Sequence, residues 1–104
     1  MIESTTQDIP GREITDILGI ARGNSVRARH VGRDILAGLR NLVGGEITEY
    51  ARLQAETREM ATRRMVEHAT SMGADAVVSV RYTTSMIASG ASEILAYGTA
   101  VKIR

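Results

Sequence analysis

The sequence contains no cysteine, no phenylalanine and no tryptophan. The missing thiols exclude disulfides, thiolate nucleophiles and every cysteine-based metal site, and they fit a reducing compartment. The missing large aromatics leave aromatic bulk to Tyr50, Tyr82 and Tyr97. The core is therefore built from Ile, Leu, Val, Met and Ala, each of which contributes less on burial. A chain of 104 residues without a long internal linker reads as a single domain spanning 1–104, and such a domain buries only about two-thirds of the surface its unfolded chain exposes. So modest a core predicts help from a partner subunit.

Long apolar runs are also missing. The start, "MIESTTQDIPGREI", has neither a basic n-region nor an apolar h-region, so no signal peptide is expected. No stretch approaches the roughly 20 apolar residues of a membrane helix. No membrane partner is expected, and the expected location is cytoplasmic. There is no Gly-x-Ser-x-Gly elbow, no Walker loop and no Gly-x-Gly-x-x-Gly fingerprint, which removes the commonest sequence-legible routes to nucleophilic or nucleotide chemistry. No cofactor is evident.

Charge is nearly balanced, with a formal net of +1, yet Arg22, Arg27, Arg29, Arg33 and Arg40 fall in one stretch that carries a single acid, Asp34. That stretch is a candidate anion-binding surface. No aromatic interleaves with the arginines to stack bases, so nucleic acid is not the expected partner.

What is present reads as a mixture of helix and strand. "EITDILGIARGNSVRAR" alternates as extended chain with apolar residues on both faces, and its "GNS" at 23–25 predicts a turn or bulge. "HVGRDILAGLRNLV" spaces Val31, Ile35, Leu39 and Leu42 as a short amphipathic helix that Gly44 and Gly45 end. The third segment, "EITEYARLQAETREMATRRMVEHATSMG", predicts a long helix. Ile47, Tyr50, Leu53, Thr57, Ala61, Met65, His68 and Met72 share one face, and Gly73 is its C-terminal stop. "ADAVVSVRYTTSMI" and "SEILAYGTAVKI" predict an antiparallel hairpin turned at "ASGA". In its first strand Val78, Val80, Tyr82 and Met86 point one way and Val77 and Ile87 the other. In the second, Ile94 and Ala96 oppose Leu95, Tyr97, Val101 and Ile103. Helices cover only one face of such a sheet, so the other face predicts a homo-oligomer built through the sheet.

"GREI", "GRDILAGLRNLVGGEITEY", "SMGADAVVSVRY" and "AYGTAVKI" occur in that order over nearly the whole chain, and they resemble the YbjQ-like family of small bacterial proteins. The resemblance implies an α+β fold with a β-α-α-β-β subunit akin to the dodecin type. Its three-stranded antiparallel sheet would carry helices on one face, and the subunits would assemble as a ring-like homo-oligomer, a pentamer. It also implies a heavy-metal-binding label. Soft metals prefer thiolate and imidazole, and here only His30 and His68 could serve. A metal site would thus need histidines from several subunits.

Three functional readings follow. The preferred one is a non-enzymatic oligomer that binds a small ligand or ion at subunit interfaces. Its candidate surface is the arginine stretch together with the Gly44–Gly45 joint, where exposed amides, Arg40, Glu46 and Tyr50 surround the electropositive start of the long helix. The second is an enzyme that uses Asp34, Arg40, Glu46 and Tyr50 around an inter-subunit pocket. The third is metal binding by clustered His30 or His68.

Overall fold

In a computed structural model that describes residues 1–27, 48–88 and 91–104, four strands and one long helix account for most of the described residues. The strands are β1 (Ile2–Glu3), β2 (Ile14–Arg27), β3 (Ala76–Ala88) and β4 (Ala91–Ile103), and the helix is α1 (Thr48–Ser71). They form one sheet in the order β1-β3-β4-β2, antiparallel except for the β1–β3 pair. The class is α+β, as the residue patterns predict. The short helix expected over Val31–Val43 and the tip of the hairpin at 89–90 lie outside the described residues.

The sheet has four strands among the described residues, not three. The additional strand is the polar lead-in: Ile2 and Glu3 pair in parallel with Ala76 and Val77. The pairing is prolonged by backbone bonds from Ser4 N–H to Val77 O, Val80 N–H to Ser4 O and Ser79 N–H to Thr6 O, each 2.9 Å. A strand of two residues carries no alternation that periodicity could detect.

Strand β2 runs straight through Gly23, Asn24 and Ser25, in unbroken register with β4 from Gly19↔Ala100 to Arg27↔Ser92. The turn or bulge expected there is absent. The extra residues are instead Thr15 and Leu18, where the register slips between Ile14 and Asp16 and again between Ile17 and Gly19. Gly23 serves a different purpose: a Cβ built on it would lie 2.2 Å from the backbone N of Met65 and 2.5 Å from Ala61 O. The backbone of α1 rests directly on this strand, and only a residue without a side chain fits beneath it.

The residues around that contact are correspondingly small. Ala21 on β2, Ala96 and Ala100 on β4, and Ala61 and Ala69 on α1 are fully buried, together with Met65 and Val77. Met65 is among the largest buried side chains and supplies roughly 1.5–3 kcal/mol by burial. The helix face predicted from spacing therefore holds at Thr57, Ala61 and Met65. Beyond Ser71, Gly73 takes the left-handed conformation (φ 84). Its N–H bonds to Thr70 O at 3.0 Å while Ala74 N–H bonds to Ala69 O at 3.1 Å, a Schellman termination that satisfies the last carbonyls.

Strand β3 corrects one facing. Ser79 has φ 55 and the register slips between Val78 and Arg81, so an extra residue inverts the alternation. Val77 and Val80 pack into the core under α1, whereas Val78 joins Ala76 and Val101 in a second cluster with Ile9, Ile14 and Ile103. Val78 and Val80, expected on one side, face opposite ways. Tyr82 stays on the helix side, where its hydroxyl and that of Thr62 lie 2.8 Å apart in a hydrogen bond. On β4 the expected division holds, with Ile94 and Ala96 under the helix and Val101 and Ile103 opposite.

Gly23→Ala should lower unfolding stability by about 3 kcal/mol or more, because the clash is with helix backbone rather than a movable side chain. Urea titration followed by circular dichroism would show it as a fall in the midpoint.

Candidate functional site

Most of the residues singled out in the sequence fall where the structure gives no description. His30, Asp34, Arg40, Gly44, Gly45 and Glu46 all lie outside the described residues, and Tyr50 sits in the first turn of α1. The Gly-Gly joint and all but Tyr50 of the four-residue pocket of Asp34, Arg40, Glu46 and Tyr50 thus lie outside the described residues. His68 is placed, and its role is specific.

His68 lies half-buried in the last turn of α1. Its Nδ1 accepts the backbone N–H of Arg22 at 3.1 Å. One turn earlier, the Arg64 guanidinium donates to the carbonyl of Asn24 at 2.7 Å. Among the described residues β2 is an edge strand of the sheet, at the end opposite β1, and its outward polar groups would otherwise be open to pairing. Two side chains at i and i+4 thus reach over the strand and occupy an outward N–H and an outward C=O two residues apart. They reach because the helix lies so low over Gly23. An imidazole whose Nδ1 accepts a hydrogen bond has only Nε2 left to donate or to ligate. Sequence spacing flagged His68 but missed Arg64, whose role depends on the lateral position of the helix.

The face of the sheet away from α1 is the other candidate. The N-terminal segment covers one end through Ile9, which packs with Ile14 and Ile103 of the strands against Ala76, Val78 and Val101. Beyond that cover, Ile17 is 75% exposed, Ile20 63%, Val26 47% and Tyr97 38%. Polar residues divide this apolar surface into rows set by the strand register. Arg22, Tyr97 and Arg81 are direct cross-strand neighbours, and so are Asn24, Leu95 and Thr83. The Arg81 guanidinium donates to Thr5 O and Val80 O, both at 2.9 Å. The Asn24 amide donates to Glu93 Oε2 at 3.0 Å. Arg22 is the one arginine of the predicted basic stretch whose side chain is described, and among the described residues its guanidinium has no partner.

A groove of about 380 Å³ opens near the hairpin tip, between Gln54 of α1 and Thr84, Met86, Ser92 and Glu93 of the hairpin. It contains none of the candidate residues.

Over residues 1–104 the chain matches the YbjQ family model, whose description reads "Putative heavy-metal-binding". The chain belongs to this family. It is 61% identical over 103 residues to a UPF0145 protein of Methanosarcina acetivorans, covering 99% of this chain and 97% of that one. It is 57% identical over 103 residues to a UPF0145 protein of Vibrio campbellii, covering 99% of both. A UPF0145 protein of Archaeoglobus fulgidus is 56% identical over 104 residues, covering 100% of this chain and 96% of that one. The family thus extends to archaea, whereas the resemblance implied a family of bacterial proteins. A crystal structure of a protein of unknown function from Pediococcus pentosaceus, of the DUF74 family, superimposes with a TM-score of 0.66 at 17% identity, covering 100% of this chain and 98% of that one. That likeness shows the fold.

The family's heavy-metal description can be set against the described residues. They contain no group of three or more His, Asp or Glu able to hold an ion. The one described histidine has Nδ1 committed to the β2 edge. These described residues do not fit a metal centre. Among the described residues no helix is long and apolar enough to cross a membrane.

Replacing His68 with Ala should leave the Arg22 N–H without its acceptor. The expected cost is about 1 kcal/mol of stability, with hydrogen exchange at the Arg22 amide rising sharply while the Ala21 amide, which faces β4, stays protected. Amide exchange followed by NMR would distinguish this from general loosening of the helix.

Proposed function

We propose that this protein is a non-enzymatic subunit of a homo-oligomer whose open sheet face meets a neighbouring copy, and that it binds a small ligand or ion where subunits meet. The observation that carries the reading is the row of exposed apolar side chains on that face, Ile17, Ile20, Val26 and Tyr97. Apolar groups gathered on one sheet face mark an interaction surface, whereas single exposed ones do not. The occupied edge of β2 adds support, since His68 and Arg64 already hold groups that strand pairing would use. Contact through the face remains open where contact through that edge does not. The resemblance suggests a ring of five. The absence of thiols fits a cytoplasmic setting.

Light scattering coupled to size exclusion should give several multiples of 11.2 kDa at micromolar concentration. Ile20→Asp, which places a charge on the open face without touching the helix-side core, should reduce the mass to one subunit while circular dichroism stays the same. A wild-type protein that elutes as a stable monomer would refute the assembly.

A further inference from the structure

The same face carries a feature that hydrophobic contact does not explain. Arg22, Tyr97 and Arg81 stand side by side on three adjacent strands. Their backbones span two inter-strand spacings, about 10 Å. The rows on either side contain no acid: Ile20, Thr99 and Val78 on one, Asn24, Leu95 and Thr83 on the other. Among the described strand residues of this face, the first acid along the register is Glu93, two rows away and bonded to Asn24. Arg81 is held in place by its bonds to the Thr5 and Val80 carbonyls through a single nitrogen. Its other guanidinium N–H groups are not used by those two bonds.

A guanidinium that loses water on a covered face needs a counter-charge, because an uncompensated buried charge costs several kcal/mol. Resting on the proposed assembly through this face, we propose that the Arg22–Tyr97–Arg81 row is an oxyanion-binding site, taking a phosphate or carboxylate group and completed when a neighbouring subunit covers it. Arg22 supplies a planar fork suited to two oxygens of one anion. Arg81 supplies a second, positioned cation. The Tyr97 ring separates the two guanidinium groups, and its hydroxyl adds a neutral donor. The apolar residues beside the row lower the local dielectric once covered and strengthen each of these bonds. The oxyanion has two sources of the same chemistry, a free anion or a carboxylate carried by the neighbouring copy.

The test is a titration of the whole protein with inorganic phosphate, and separately with succinate, at an ionic strength held constant with chloride. It is followed by NMR shifts of the Arg22 side-chain Nε–H and the Tyr97 ring, with the mass measured in parallel. Saturable shifts with either oxyanion are expected, weakened at least about tenfold in Arg22→Gln and partly restored in Arg22→Lys. If the oxyanion comes from the neighbouring copy, phosphate and succinate cause no shift. Arg22→Gln then lowers the oligomer mass, and Glu93→Gln lowers it equally. The proposal is overturned if chloride alone produces the same shifts, if Arg22→Gln binds phosphate as well as the wild type, or if neither titration nor mass depends on Arg22. A monomer that binds phosphate through Arg22 would refute the assembly and leave the anion row standing. An oligomer indifferent to Arg22 would do the reverse.

Discussion

The backbone of α1 lying against Gly23 is the contact on which the other features depend. With Met65 N only 2.2 Å from where a Cβ would stand, helix and strand meet without an intervening side-chain layer. The positions around the contact are mostly small: Ala21, Ala61, Ala69, Ala96 and Ala100 are all fully buried. This accounts for a core without Phe or Trp: a large ring at any of these sites would lift the helix away from the sheet. Small residues release little free energy singly. Close approach compensates through dispersion contacts between backbone and backbone, which a wider spacing would forfeit.

The low seat of the helix also determines what the sheet offers to its surroundings. Arg64 and His68 reach past β2 only because their helix passes directly over it, and together they close part of the outer strand. On the far side, the inserted residues at Thr15, Leu18 and Ser79 rotate successive portions of β2 and β3. The consequence is an uneven distribution of cover. Ile14, Val78, Val101 and Ile103 are gathered under the N-terminal segment, while Ile17 and Ile20, only a few residues along, remain exposed. A regular alternation would have put Ile17 on the opposite face from Ile14 and Ile20.

Much of this architecture was legible in the residues. The long helix, its stop at Gly73 and the antiparallel hairpin follow from periodicity and termination chemistry, because long amphipathic segments and left-handed glycines carry strong local signals. Gly23 was misread for a physical reason: a glycine that bends a strand and one that admits another backbone look the same in one dimension. The bulge at Ser79 could not be anticipated, since a serine in the left-handed region is held by tertiary bonds, here to Thr6 O, and not by its own preference. Alternation alone therefore puts Val78 and Val80 on one face. The candidate site was less legible still. His68 stood out by type, but its partner is a backbone N–H forty-six residues away in sequence. The Arg22–Tyr97–Arg81 row exists only through register, being drawn from three strands.

A purely apolar open face would pair with any apolar surface, including copies in the wrong orientation. Setting Arg22 and Arg81 across its middle changes that, because a wrongly placed partner would leave desolvated guanidinium groups without counter-charge. The apolar residues then provide attraction, and the basic row restricts which contacts are tolerated. Asn24 contributes to the same end by holding Glu93 at 3.0 Å, away from the row, so that the positive charge of Arg22 is not neutralised within its own subunit. An internal Arg22–Glu93 pair would have satisfied both groups and removed the requirement for an external anion. In the proposed assembly, the separation of these charges on one face, with an amide between them, would tie subunit contact and anion recognition to the same surface.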